Sequence, residues 1–413
     1  MIAELSHDSS VTIEHPHIEV TGSKSESNRL LILQALFPQI EIENLSNSDD
    51  TQLLQQAIKD RDSKLIDIHH AGTAMRFLTA YFSAQQGRNV VLTGSERMKQ
   101  RPVSLLVDAL RKLGAKIDYR GEESYPPLQI TGTTLRSGEI EIAAGTSSQY
   151  ISALLLIAPS LSNGLKIRMQ GMVTSRPYIE MTCQLLKQLG CTVIFSENYI
   201  SVDPLDKPEE SRFTVESDWS SASYFYSLVA LSEGLSVTLK NYKKESLQGD
   251  SHLVRIYEKL GVETRFDAAS TSISLTKKDV TLPKLLELDL AKTPDIAQTI
   301  AVSCFGLGIG CKLSGLHTLK IKETDRLVAL QTELQKLGAM VEITDNMLQL
   351  SPSEAIKSGI TIKTYNDHRM AMAFAPLALK QNILIEDPEV VSKSFPSFWE
   401  AMTAVGIKYE IKR

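Results

Sequence analysis

Leu330-Gln331-Thr332-Glu333-Leu334-Gln335-Lys336-Leu337-Gly338-Ala339-Met340-Val341-Glu342-Ile343 reads as an amphipathic helix that stops at a glycine and re-enters as a strand. Leu330, Leu334 and Leu337 share one helical face, and Gly338 supplies the left-handed residue that ends such a helix. Val341 and Ile343 then alternate with Glu342, as a half-buried strand requires. The same grammar runs through residues 106–114 into Ala115-Lys116-Ile117, and through 181–190 into Cys191-Thr192-Val193-Ile194. It returns at 252–261 with Val262-Glu263-Thr264, and at 398–406 with Ile407-Lys408-Tyr409-Glu410-Ile411. A degenerate first copy is expected at 51–60, leading to Leu65-Ile66-Asp67-Ile68. The copies lie roughly 70 residues apart, too far for a solenoid, so each is a whole α/β subdomain. About six such units predict two similar α/β domains of three repeats each.

Composition sets the outer limits. The chain has 413 residues, 42% of them hydrophobic and 23% charged, enough for a large core and more than one domain usually holds. No low-complexity linker stands out, and Lys207-Pro208-Glu209-Glu210-Ser211 is the best candidate crossing near mid-chain. A net charge of −5 and a pI near 6.0 exclude bulk electrostatic binding to nucleic acid or anionic membrane. An anionic ligand must therefore meet locally concentrated cations. Cys183, Cys191, Cys304 and Cys311 form no CxxC pair, and residues 1–10 lack a signal-peptide core. The most apolar stretches, 150–159 and 300–311, are too short to span a bilayer. These features read as a cytosolic protein with free buried thiols.

Two polar knots carry the chemistry. Lys322-Glu323-Thr324-Asp325-Arg326 follows Gly315-Leu316 and precedes an apolar helix through Leu327, Leu330, Leu334 and Leu337. If that helix starts near Thr324, Lys322 and Glu323 sit at its positive end, where anions dock. Tyr365-Asn366-Asp367-His368-Arg369 stands likewise before the apolar run 370–379. Further helix starts offer donors and cations: Gly22-Ser23-Lys24-Ser25-Glu26-Ser27-Asn28-Arg29, Ala71-Gly72-Thr73-Ala74-Met75-Arg76, and Thr146-Ser147-Ser148-Gln149-Tyr150. Ser175-Arg176-Pro177-Tyr178 puts proline at a first helical position, and Asp218-Trp219-Ser220-Ser221 also reads as a capped start. Gly94 to Pro102 sets Arg97, Lys99 and Arg101 between a strand and a helix. Asp295, in Thr293-Pro294-Asp295, reads either as an N-cap or as a general base; Lys393 falls in a turn, Ser392 to Pro396. There is no HExxH, clustered Cys/His, Walker A or GxGxxG motif, so neither a metal nor a nucleotide cofactor is expected.

In this order, from Gly22 to Pro396, the segments resemble the EPSP synthase (3-phosphoshikimate 1-carboxyvinyltransferase) family of enolpyruvyl transferases. The resemblance implies two similar domains, each an inverted, barrel-like α/β unit of three βαβαββ-type repeats. Domain 1 would comprise 1–22 plus 216–413, domain 2 would be 23–215, and the active site would lie in the cleft between them. Shikimate 3-phosphate would be bound by Lys24, Ser25, Arg29, Ser147, Ser148, Gln149, Ser175, Asp295 and Lys322. Phosphoenolpyruvate would meet Lys24, Gly72, Arg101, Gln149, Arg326, Arg369 and Lys393. Asp295 resembles the base and Glu323 the acid, with Lys24 a rival proton donor. The resemblance further implies a cytoplasmic monomer of chorismate and aromatic amino acid biosynthesis, with no cofactor and no nucleic-acid or membrane partner.

His70, Phe77 and Thr318 depart from the family pattern, where Asn, Pro and Asn are usual. The first two border the turn where glyphosate binds in that family. None of the three removes a cation or an acid–base group. The UDP-N-acetylglucosamine enolpyruvyl transferases share fold and chemistry but use a cysteine in the loop matching 95–101, and this chain has none there. A sugar-phosphate sensor on the same scaffold would need the cations but not the pair Asp295 and Glu323.

Overall fold

The computed structural model describes residues 1–7, 15–143, 145, 147–171, 173 and 175–412. The chain divides into two compact units, Met1–Thr21 with Glu216–Arg413, and Gly22–Val215. The 207–211 stretch expected as a crossing lies inside the second of these.

The first unit contains three four-stranded sheets with one shared order. In the sheet that decides the fold, Leu285–Asp289 runs parallel to Gly310–Ser314, which pairs antiparallel with Leu348–Leu350, which pairs antiparallel with Val341–Ile343. Helices Ala297–Gly306 and Arg326–Lys336 make the crossovers, giving βαβαββ. His17–Ile18, Ser236–Lys240, Ser272–Lys277 and Val262–Asp267 repeat this order. Thr361–Ile362, Ile383–Glu386, Ile2–His7 and Ile407–Lys412 repeat it again, with the N-terminal strand closing the sheet. The glycines that punctuate the sequence are left-handed as expected, with φ of +81° at Gly261, +103° at Gly338 and +90° at Gly406.

The two helices of each repeat differ in character. Trp219–Leu231, Ala297–Gly306 and His368–Phe374 are buried along almost their whole length, as apolar composition on every face requires. They form the middle of the unit, and Arg326–Lys336 and Phe398–Ala404 bury one face each against it. Aromatic contacts lock the core: Trp219 on Tyr242 at 4.8 Å and Tyr224 on Phe398 at 5.6 Å between ring centroids. Each such burial contributes about 1.5–3 kcal/mol.

The second unit has the same plan with one repeat cut short. Leu65–Asp67, Asn89–Thr93, Leu128–Thr131 and Lys116–Tyr119 form one complete sheet. Gly138–Ala143, Leu165–Gln170, Tyr199–Val202 and Val193–Phe195 form the other. The third sheet has only Arg212–Thr214 parallel to Glu41–Glu43. The expectation that 65–68 completes the first copy is therefore corrected. Helix Asp49–Lys59 ends at Asp60, residues 60–64 are too few for two strands, and Leu65–Asp67 opens the next sheet instead. Glu41, Glu43 and Arg212 decorate the shortened sheet, and such charges guard an open edge.

Helices Lys24–Leu36, Gly72–Ala84 and Ser148–Ile157 occupy the middle of this unit. In both units, therefore, most of the chemically marked segments stand at the starts of central helices. Among the described residues, no helix is long and apolar enough to cross a membrane.

Candidate active site

In the first unit the two polar knots meet. After the 3-10 turn His317–Ile321 the chain is extended at Lys322, and the helix begins at Arg326, two residues later than the sequence suggested. Asp325 caps it, accepting from the amides of Leu327 at 3.1 Å and Val328 at 3.2 Å. Lys322 and Glu323 thus precede the helix. Arg326, its first residue, points inward and is only 2% exposed.

Arg326 serves three carboxylates. Its Nε donates to Asp367 Oδ2 at 2.6 Å, Nη1 to Asp295 Oδ1 at 3.1 Å and Nη2 to Glu323 Oε2 at 2.8 Å. Burial alone would lower its pKa, but Asp367, Glu323 and Asp295 outweigh that and raise it. Lys393, which ends the 3-10 turn Pro388–Lys393, approaches Glu323 Oε1 at 3.1 Å.

Asp295 lies within the 3-10 turn Pro294–Ile296, ahead of helix Ala297–Gly306, so it is not the N-cap that one reading made it. Lys322 Nζ lies 3.4 Å from its Oδ1, and Arg369 Nη2 donates to its Oδ2 at 3.2 Å. Arg369 Nη1 also donates to the Asp295 carbonyl at 3.0 Å. Burial pushes the Asp295 carboxyl up, yet Arg369, Lys322 and Arg326 together hold it well below the usual carboxylate range. Arg369 is placed by its own helix: Asp367 caps His368–Phe374 by accepting from the Arg369 amide at 2.9 Å.

Behind Arg369 stands a group the sequence did not mark. Arg369 Nη2 donates to Ser220 Oγ at 3.3 Å, and Ser220 donates to the buried Asp250. Burial, then Asp295, push the Asp250 carboxyl up to about 7. Its local sequence, Gln248-Gly249-Asp250, reads only as a turn before a helix. Asp367 was visible within its knot, but the pairing with Arg326 depends on a fold that joins residues 41 positions apart.

Among the described residues, the second unit's candidates pair off rather than forming one bonded cluster. Ser23 caps helix Lys24–Leu36, and Lys24 Nζ lies 3.6 Å from Asp50 Oδ2. Arg29 is buried: Nε donates to Thr182 at 2.7 Å, Nη1 to the Ser25 carbonyl at 2.7 Å, and Nη2 to Ser152 at 3.1 Å and the Tyr178 carbonyl at 3.0 Å. A guanidinium has about five N–H donors, and among the described residues the Arg29 donors meet these four protein oxygens. Burial lowers its pKa to about 10, so it remains a cation at neutral pH.

Gly72 opens its helix with the Arg101 guanidinium against it, since a Cβ there would stand 2.5 Å from Arg101 Nη1. Gln149 Nε2 donates to Thr73 at 3.2 Å, joining two helix starts. Ser147 caps helix Ser148–Ile157, and Ser148 is buried at its first position. Ser175 stands at the N-cap position of helix Arg176–Gln188 with a left-handed φ of +51° and no side-chain capping bond among the described residues. Thr146 lies outside the described residues.

The three departures have visible settings. His70 Nδ1 lies 2.8 Å from Ser95 Oγ, and Phe77 is buried with the Arg29 guanidinium 5.4 Å from its ring centroid. Thr318 is buried too, and its hydroxyl has no hydrogen-bond partner among the described residues.

Two α/β units of this kind characterise a class of solved structures. The chain superposes on an EPSP synthase from Acinetobacter baumannii with a TM-score of 0.76 at 22% identity, covering 99% of this chain and 100% of that one. The model of the family EPSP synthase (3-phosphoshikimate 1-carboxyvinyltransferase) matches residues 55–402. A 3-phosphoshikimate 1-carboxyvinyltransferase of Bacteroides fragilis is 45% identical over 95% of this chain and 96% of its own length. One of Photobacterium profundum is 36% identical over 93% and 95% respectively. The chain belongs to the EPSP synthase family.

Proposed function

We infer that this chain transfers the enolpyruvyl group of phosphoenolpyruvate to the 5-hydroxyl of shikimate 3-phosphate, releasing phosphate, in aromatic amino acid biosynthesis. The observation that carries the reading is Arg326, which binds Asp295 and Glu323 at once amid Lys322, Arg369 and Lys393. Substrates rich in phosphate and carboxylate repel one another, and a concentration of cations offsets that.

In this reading Lys24, Ser25, Arg29, Ser147, Ser148, Gln149, Ser175, Asp295 and Lys322 hold shikimate 3-phosphate. Lys24, Gly72, Arg101, Gln149, Arg326, Arg369 and Lys393 hold phosphoenolpyruvate. The 5-hydroxyl oxygen bonds to C2 of phosphoenolpyruvate while its methylene carbon takes a proton, giving a tetrahedral ketal. The ketal then loses a methyl proton and the C–O bond to phosphate breaks. Asp295 takes the hydroxyl proton. At rest three cations hold it well below the usual range, and burial opposes them. Substrate anions that draw Lys322, Arg326 and Arg369 toward themselves make it more basic. Glu323 delivers and later removes the methyl proton.

Single-turnover kinetics of Glu323→Gln test that last role. Ketal formation should fall by about 10²–10⁴-fold; an unchanged rate transfers proton delivery to Lys24. The reading also makes the protein a cytosolic monomer that needs no cofactor, so sedimentation should return a mass near 45.7 kDa.

A further inference from the structure

The buried carboxylate of Glu333 takes no part in the chemistry above, yet it lies between the two polar knots. It stands on helix Arg326–Lys336, two turns beyond Arg326, and is fully buried. Its Oε1 accepts from the Tyr365 hydroxyl at 2.6 Å, and its Oε2 from the Lys363 amide at 3.1 Å. Lys336 Nζ, on the same helix, neutralises it at 2.8 and 2.7 Å.

What Glu333 grips is a turn of unfavourable geometry. The Asp367 amide donates to the Thr364 carbonyl at 2.9 Å, closing a four-residue turn. Both central residues, Tyr365 and Asn366, have a φ of +55°. Positive φ at both positions favours glycine, asparagine or aspartate. Asn366 suits it; Tyr365 does not, because a Cβ crowds the left-handed conformation. The chain leaves this turn directly into Asp367, whose Oδ1 caps the Arg369 helix and whose Oδ2 makes the shorter of its two bonds to Arg326.

We propose that Glu333 is a positioning residue: it pins the left-handed Thr364–Asp367 turn and thereby fixes Asp367 against Arg326. Helix Arg326–Lys336 then holds the turn at two places, through Arg326 on Asp367 and through Glu333 on Tyr365 and Lys363. The consequence for catalysis rests on the assignment of Arg326 to phosphoenolpyruvate made above.

The experiment compares wild type, Glu333→Gln, Tyr365→Phe and the double variant Glu333→Gln/Tyr365→Gly. Amide exchange at Asp367 to Arg369 should rise in Glu333→Gln. KM for phosphoenolpyruvate should rise on the order of tenfold to a hundredfold, as for other remote misplacements. KM for shikimate 3-phosphate should stay within about twofold, because an interaction lost to one ligand only leaves the other's binding in place. Tyr365→Phe removes one oxygen, keeps the ring packing, and should give a smaller effect of roughly three- to tenfold. The double variant supplies the rescue, because glycine adopts the turn without being pinned. Exchange and KM should return toward wild type while the melting temperature, which depends on the lost ring contacts, does not.

Unchanged exchange and KM in both Glu333→Gln and Tyr365→Phe, or no recovery with glycine, would overturn the proposal. If wild type itself fails to turn over these substrates, the functional reading falls. The exchange data then decide the role of Glu333 alone.

Discussion

Arg326 and Asp367 meet at 2.6 Å with side chains 2% and 0% exposed, joining two helix starts 41 residues apart in sequence. A buried charge pair of this kind is expensive to break, because removing one partner leaves the other desolvated and alone. Here the arginine also binds Asp295 and Glu323.

Arg326→Lys should therefore be severe. A lysine offers one point charge where the guanidinium fork now reaches three carboxylates. The expected loss in kcat/KM for phosphoenolpyruvate is about 10²–10³-fold, several charge-assisted hydrogen bonds being lost together. Steady-state kinetics and a thermal melt check it, and the melt should fall as well.

Asp295→Asn should lower kcat by about 10²–10⁴-fold while leaving KM for shikimate 3-phosphate within a few-fold. The wild-type carboxyl is held well below the usual range by Arg369, Lys322 and Arg326 against the effect of burial, which favours its ionised form at neutral pH. Loss of activity on mild acidification should therefore not be traceable to Asp295 in the free enzyme. A pH profile of kcat/KM checks this.

Gly72→Ala should damage function more than stability. The new Cβ would stand 2.5 Å from Arg101 Nη1, the far end of a flexible side chain that can swing away. KM for phosphoenolpyruvate should rise roughly tenfold, with a melting temperature little changed, because alanine suits a helix start.

Asp250 should leave a signature in the pH dependence of stability. Its carboxyl is raised from 3.8 to about 7 by burial and then by Asp295, so between those values the folded state binds more protons than the unfolded chain. The stability this contributes is complete below about pH 4 and is lost as pH rises through about 7. Asp250→Asn should flatten that part of the curve. Denaturant titrations at several pH values check it.

The helix–glycine–strand copies were legible because each depends on local features. Leu330, Leu334 and Leu337 mark the buried face, and Gly338 takes the left-handed turn. The reduced repeat was not legible, because Leu65-Ile66-Asp67 reads equally well as the end of one sheet or the start of the next. The residues of the polar knots stood out by charge density, and Asp325 proved to be a cap. Asp250 and Glu333 did not stand out. Each is a single acidic residue in ordinary surroundings, and its meaning comes from partners remote in sequence, Ser220 and Tyr365. Arg29 shows the opposite limit: its charge suggested a ligand contact, while the fold engages most of its donors with protein oxygens.

The central claim is enolpyruvyl transfer to shikimate 3-phosphate, and phosphate release from phosphoenolpyruvate tests it most directly. The account predicts release that requires shikimate 3-phosphate and matches its consumption mole for mole. It also predicts no release when UDP-N-acetylglucosamine is supplied instead. Release with the UDP-sugar, or none with shikimate 3-phosphate, would contradict it.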